Sequence, residues 1–354
     1  MSGVYLTGHG DVDKLEYRTD IPVPIPGAGE VLIRVAAAGM NNTDINTRVG
    51  WYAKSVRGAT DATAEEADDN EGGSWSGDAM HFPRIQGLDC CGTIVAVGEG
   101  VDAARIGERV LIRAMQDRHD PENPCAFDTF GSEMDGAFAQ YTKTGSEQAL
   151  PVNSDWTDVE LATIPCAYTT AEGMLTRAAV GAERVLITGA SGGVGSAAVQ
   201  LAKRRGAEVI GIAAEAKAAA VTALGADRIV HRGRSVVAEL GAASVDVVVD
   251  LVGGDEWPEL GEVLVTGGRY VTSGAIAGPI VELDLRTLYL RDLTLYGSTW
   301  TADEIIANVV RYIEADEIRP VVAATYPLAD IVRAQQDFLA KRHTGNLVLI
   351  PPPD

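Results

Sequence analysis

The sequence predicts an α/β protein in two parts, a β-rich domain followed by a doubly wound parallel sheet. Three observations carry that expectation. The chain has 354 residues, more than one hydrophobic core usually supports, so two domains are the natural division. Residues 1–155 hold short strand-like runs broken by Gly, Pro and Asp turns, the texture of a β-rich domain. From Val185 onward, short apolar runs alternate with helical spacing, which suits parallel strands covered on both faces.

In the first part the clearest strands fall over 31–37, 92–97 and 109–113. In the second, strands over 185–188, 208–213, 228–230, 245–251, 269–273 and 293–296 make a set of six. Helices over 194–205 and 217–224 separate the first three. A helix over 302–315, a strand over 321–326, an amphipathic helix over 328–341 and a closing strand over 346–350 follow. That tail is expected to return to the first part. The expected division is therefore 1–155 with 315–354 as one domain and 156–314 as the other.

There are 29 Lys and Arg against 50 Asp and Glu, a formal net charge of −21. Such a field argues against nucleic acid and anionic membranes as partners and leaves a small-molecule substrate. The surplus itself reads as a solubility or high-salt adaptation. The four cysteines, Cys90, Cys91, Cys125 and Cys166, form no small-protein disulfide framework and suit a reducing cytoplasm. No signal peptide and no membrane span is expected. Residues 58–78 read as an acidic insertion, either a solvated loop or a lid over the substrate site.

The strongest local signal is Val185-Leu-Ile-Thr-Gly-Ala-Ser-Gly-Gly-Val-Gly195, an apolar strand entering a glycine cluster that opens a helix. Gly189 permits the turn off the strand, Gly192 and Gly193 let a pyrophosphate approach the backbone, and Gly195 lets helix pack on strand. Ser191 and Val194 belong to the same turn, and the helix N-terminus offers free N–H groups and the positive end of its dipole. An NAD site usually holds an acid at the end of the second strand. Here that position is Ala213, followed by Lys217, His231, Arg232 and Arg234. NADPH is therefore expected ahead of NADH, with Glu215 keeping NADH open.

Ordered motifs over most of the chain resemble the medium-chain dehydrogenases/reductases. Pro83-Arg-Ile-Gln-Gly-Leu-Asp-Cys-Cys-Gly-Thr-Ile-Val-Ala-Val-Gly98, with Gly107-Glu-Arg-Val110, resembles their GroES-like catalytic domain. Ile164-Pro-Cys-Ala-Tyr-Thr-Thr-Ala171 resembles the hinge, and 189–195, Gln200-Leu-Ala-Lys203 and Leu224-Gly-Ala-Asp227 resemble the Rossmann cofactor domain. The resemblance implies an oxidoreductase, and a homo-oligomer, dimer or tetramer. Zinc enzymes of the family carry a Cys soon after the first long strand and a later Gly-His-Glu. Here those stretches read Gly39-Met-Asn-Asn-Thr-Asp44 and Gly87-Leu-Asp89. Met40 or Asn41 cannot replace a thiolate and Leu88 has no lone pair to give, while the lobe over 115–135 holds only Cys125, so no zinc is expected at either family site. Adjacent Cys90 and Cys91 point to opposite faces of a strand and make a poor site with His81.

What remains is similar to the zinc-free quinone oxidoreductases of the zeta-crystallin type. Asn41, Asp44, Arg48, Gly50 and Tyr52 match their early active-site stretch. His231-Arg232 falls where those members contact the adenosine phosphate, and Thr170, Ser273 and Gly345-Asn346 match cofactor-lining positions. The implied reaction is hydride transfer from NADPH to a quinone or the β-carbon of an enone, which need less activation than a simple ketone. Charge then builds on the carbonyl oxygen and calls for hydrogen-bond donors. Asn41 and Tyr52 are the catalytic candidates, Tyr52 as proton donor or pocket wall, Asn41 as donor or as a holder of the cofactor. Asp44 and Asp89 read as braces and Cys166 as a small buried residue. An enoyl-thioester (acyl-CoA) reductase, a zinc-assisted alcohol dehydrogenase and a non-enzymatic nucleotide- or RNA-binding protein stay open.

Overall fold

The structure, a computed structural model, describes residues 1–60, 73–77, 79–118 and 120–353. Most of the acidic insertion, and with it the reading of that segment as a lid, lies outside the described residues.

The long strand Glu30–Gly39 organises the first part. Its period of two buries Val31, Ile33 and Val35, as pleating requires of a half-covered strand. It pairs antiparallel with Cys91–Val97 and Tyr141–Gly145, and the sheet continues through Arg109–Ile112 to Ala149–Pro151. Its far end is closed by Asn346–Ile350, antiparallel to it and parallel to Val322–Pro327. The tail of the chain thus lies in the first sheet.

The second part is a sheet of six parallel strands: Arg184–Ile187, Glu208–Ala213, Arg228–His231, Val245–Asp250, Leu264–Thr272 and Thr294–Gly297. In space they run third, second, first, fourth, fifth, sixth. The order reverses beside the first strand, and a crevice opens there at the carboxyl ends of the strands, where such sheets bind ligands. Val185, Leu186, Ile187, Val247, Val248 and Val249 are all buried, as a sheet covered on both faces demands.

The structure differs from the sequence reading at several elements, among them two in the second part. The fifth strand starts at Leu264 rather than 269, because Val245 pairs with Leu264 across a register shift before Val247 meets Arg269. Gly267, at φ +77, lies within that irregularity. The second helix starts only at Ala218, after a 3-10 turn Glu215–Lys217. One apolar cluster joins Ala37, Cys91 and Leu111 of the first sheet, through the hinge helix Pro165–Arg177, to Val209, Val247 and Val271 of the second. The cleft between the two parts therefore has a packed floor. No helix among the described residues is long and apolar enough to cross a membrane.

Candidate active site

A cleft of about 680 Å³ lies where the glycine turn faces the hinge helix and the helix Asn42–Val49. Gly189, at φ +57, makes the turn off the first parallel strand. A Cβ on Gly195 would sit 2.1 Å from the Gly189 carbonyl oxygen, and one on Gly193 would sit 2.5 Å from Asn346 Oδ1. A side chain at 195 would strike backbone, whereas one at 193 would require the Asn346 amide to move. The turn delivers the backbone N–H groups of the twelve-residue helix Gly193–Arg204 to the cleft, which suits an anionic pyrophosphate. Buried Asn346 Nδ2 and Ser273 Oγ line the same cleft and have no hydrogen-bond partner among the described residues. Orphaned polar atoms of this kind are what a polar ligand satisfies, so these residues fit a dinucleotide.

Of the residues expected to hold the cofactor, Gly189, Gly192, Gly193, Val194, Gly195, Thr170, Ser273 and Asn346 line this cleft. Ser191, Lys217, His231 and Arg232 do not. Ser191 instead ties the turn to the tail, its carbonyl accepting from the Gly345 N–H at 2.9 Å. The other three gather around Ala213. The Arg232 backbone N–H donates to the Ala213 carbonyl at 2.9 Å, and His231 and Arg232 are exposed. Burial, and next the Arg232 charge, hold the Lys217 ammonium below its ordinary range.

Two further residues join this corner that the sequence reading missed, because they lie far along the chain. Lys217 Nζ donates to the Lys341 carbonyl at 2.7 Å, and Lys341 Nζ donates to Asn42 Oδ1 at 2.7 Å and lies 4.0 Å from the centre of the Phe338 ring. His343 is pushed down to about 4 by burial, with Lys341 and Lys217 adding to the effect. His343 is thus neutral near pH 7, and in a chain of net charge −21 the positive charge gathered here is that of Lys217, Lys341 and Arg232.

The catalytic candidates stand on the floor. The Asn41 backbone N–H donates to Asp44 Oδ2 at 2.8 Å and starts the helix Asn42–Val49, the reciprocal half of a capping box. Asn41 Nδ2 donates to Asp89 Oδ2 at 2.8 Å, and Asp89 Oδ1 accepts from the Cys166 N–H at 2.6 Å. Both carboxyls are fully buried. Burial raises Asp44 to about 8, with the Asp89 charge adding to it, and burial raises Asp89 to about 7. Asn41 lines the cleft with one amide hydrogen already committed. Tyr52 is half-buried. Its hydroxyl donates to Thr43 Oγ1 at 3.4 Å and accepts from Asn46 Nδ2 at 3.3 Å, both long for hydrogen bonds. Burial pushes its phenol up to about 12, so it keeps its proton at neutral pH.

Arg48 departs from its expected place in the active-site stretch. It is buried, and its guanidinium donates to Gln335 Oε1 at 2.8 Å and the Gly10 carbonyl at 2.6 Å. It pins the helix Asn42–Val49 to the tail helix Ile331–Leu339 and does not line the cleft. Gly50, at φ +69, ends the same helix. Asn46, Trp51, Trp75, Trp300 and Arg177 do line the cleft. No motif marked them; for Arg177 the one signal was its helical spacing of seven from Thr170.

The same floor tests zinc. Leu88 is buried against Ala114, Cys166 and Trp75. Both Asp89 oxygens are used, by Asn41 Nδ2 and by the Cys166 N–H. Among the described residues, no group of three or more His, Cys, Asp and Glu could hold a metal ion. Among the described residues, the donor set of this floor does not fit zinc.

A glycine-rich strand–turn–helix at the switch point of a doubly wound sheet, facing a β-rich domain across a polar-floored cleft, defines a nicotinamide-dependent oxidoreductase. Residues 27–154 match the alcohol dehydrogenase GroES-like domain, and residues 193–315 match the family described as zinc-binding dehydrogenase. A solved structure from Sinorhizobium meliloti 1021, provisionally named an alcohol dehydrogenase, is 48% identical, covering 99% of this chain and 97% of that one, with a TM-score of 0.90. The acryloyl-coenzyme A reductase of Metallosphaera sedula is 28% identical over 99% of both chains. The quinone oxidoreductase of Lama guanicoe is 27% identical over 99% of this chain and 97% of its own. The chain belongs to the medium-chain dehydrogenase/reductase family, with a GroES-like domain joined to a Rossmann-like parallel sheet.

Proposed function

We propose that the protein is an NADPH-dependent reductase that delivers hydride, without a metal, to a quinone or to an alkene conjugated with a carbonyl (an enone). One observation carries this reading: the orphaned Asn346 and Ser273 atoms, the glycine turn, Asn41 and Tyr52 all face one cleft whose donor set does not fit zinc. A reduced nicotinamide bound there supplies the hydride. The chain's own residues supply the rest. Asn346, beside Gly193, and Ser273 offer polar atoms to a bound dinucleotide. Asn41 offers its uncommitted amide hydrogen, and the Tyr52 hydroxyl exchanges its long bond to Thr43 for one to the substrate oxygen, where charge builds. Proton delivery from Tyr52 or water completes the two-electron reduction, giving a hydroquinone or a saturated carbonyl compound. Ala213, Lys217 and Arg232 favour the 2′-phosphate of NADPH, because an acid at 213 would repel it.

A second reading, reduction of an enoyl thioester, is favoured by the acryloyl-coenzyme A reductases among the relatives and uses the same hydride chemistry. The test is a panel following NADPH loss against quinones, enones and enoyl-CoAs, with NADH in parallel and metal analysis of the purified protein. NADPH-linked reduction by metal-free protein is expected. A preference for NADH of tenfold, about 1.4 kcal/mol, overturns the cofactor assignment. Bound zinc required for activity overturns the metal-free reading.

A further inference from the structure

One face of the hinge helix Pro165–Arg177 runs along the cleft, presenting Cys166, Thr170 and Arg177 to it. With a rise of 1.5 Å per residue, Arg177 stands about 10 Å beyond Thr170 and about 16 Å beyond Cys166. Cys166 belongs to the floor, where its N–H meets Asp89, so Arg177 marks the mouth. Gly173 lies between, where a Cβ would strike Thr301 Cγ2, at 2.6 Å.

Arg177 is the only Lys, Arg, Asp or Glu among the described residues lining the cleft. It is exposed, and its one hydrogen bond among the described residues is from Nη2 to the Trp300 carbonyl, at 3.1 Å. No carboxylate among the described residues pairs with it. The acids nearby are already matched: Asp117 accepts from Trp300 Nε1 at 2.9 Å and pairs with Arg113 at 3.2 Å, and Arg113 also pairs with Asp303. Arg113 is thus shared by two carboxylates, Asp117 and Asp303, and neither of them bonds to Arg177. In a protein of net charge −21, an isolated planar cation with donors to spare is a recognition element for carboxylate or phosphate.

We propose that Arg177 is an anion subsite that selects substrates whose reducible end is joined to a carboxylate or phosphate ester about 10 to 16 Å away. The proposal rests on reading the floor of this cleft as the site of hydride transfer. It goes beyond that reading by requiring a charged tail, which a simple quinone lacks.

The experiment compares wild type, Arg177→Gln and Arg177→Lys, each as the full chain with NADPH. The substrates are crotonyl-CoA, its neutral N-acetylcysteamine thioester, and an enone bearing a distal carboxylate beside its methyl ester. The expected result is that Arg177→Gln lowers the ratio of kcat/KM, anionic over neutral, about tenfold, through KM, and that Arg177→Lys restores part of it. The CoA pair and the carboxylate pair separate phosphate from carboxylate as the source of the charge. An unchanged ratio for both pairs overturns the subsite. If no substrate turns over, the hydride-transfer reading has failed, and binding decides the subsite separately. Coenzyme A and succinate are then titrated against the tryptophan fluorescence of the cleft. Equal affinity of wild type and Arg177→Gln for both probes overturns the proposal, and a tenfold loss for either sustains it.

Discussion

Lys217, just past the second parallel strand, donates its ammonium to the carbonyl of Lys341, on the tail that runs back to the first sheet, at 2.7 Å. The two halves of the protein therefore meet in a hydrogen bond beside Ala213. Replacing Lys217 by Ala is expected to weaken NADPH binding at least about tenfold while leaving NADH within about twofold. Ala213→Asp is expected to reverse the preference. Titration of each nucleotide by protein fluorescence reads both, and equal losses for the two nucleotides would show that Lys217 serves the fold alone.

Tyr52→Phe removes one hydroxyl from the floor and leaves the ring against Trp51. The expected effect is a fall in kcat of about tenfold or more, with KM little changed, as for loss of a donor that matters in the transition state. An unaltered kcat reduces Tyr52 to a wall of the pocket.

Asp44 and Asp89 are held in the protonated direction by burial. Their folded pKa values, about 8 and about 7, lie above those of the unfolded chain. The folded state therefore binds protons that the unfolded state has released, and the associated stability is full below about pH 4 and is lost as pH rises towards 8. Asp44→Asn keeps an acceptor for the Asn41 N–H and removes one titration. Its melting temperature is expected to exceed that of wild type at pH 8.5 and to approach it near pH 5. Parallel curves across that window would contradict the assignment.

Gly193 and Gly195 fail differently on substitution by Ala. The Gly193 Cβ meets the end of the Asn346 side chain, whereas the Gly195 Cβ meets the backbone of Gly189. A side chain can rotate away and a turn cannot. Gly193→Ala is expected to keep its melting temperature within a few degrees and lose nucleotide affinity. Gly195→Ala is expected to cost about 1–3 kcal/mol of stability, read by denaturant unfolding.

Leu285, Tyr289 and Leu290 are exposed beside the edge strand Thr294–Gly297. The stretch around them sets Arg286 and Arg291 against Glu282, Asp284 and Asp292, which limits the repulsion between two copies of an acidic chain there. An open edge flanked by apolar groups is suited to pair with its own copy about a two-fold axis. Light scattering is expected to give a dimer for the wild type and a monomer for Leu290→Glu; a monomeric wild type would contradict this.

The parallel sheet was legible in the sequence because its strands are buried on both faces and read as uninterrupted apolar runs, as in 245–251. The glycine turn was legible because each glycine answers a steric demand of the fold. Arg48 was misread, since its neighbours Asn41 and Tyr52 face the cleft while helical rotation turns it inward to Gln335. Lys341, His343 and Arg177 stayed hidden for another reason. Their roles arise from contacts between segments far apart in the chain, and a solvated charge and a cleft-facing one look alike in sequence.

The insertion of Asn346–Ile350 between Glu30–Gly39 and Val322–Pro327 has a consequence for biosynthesis. The six parallel strands are complete once the ribosome has made residue 297, but the sheet begun at residue 30 stays unfinished until residue 350 emerges. The later-made half is thus the first able to fold, and the earlier-made half waits for it. Asn346 arrives with that strand, so the nucleotide cleft gains its final wall only after residue 346 has emerged, well after the parallel sheet is complete.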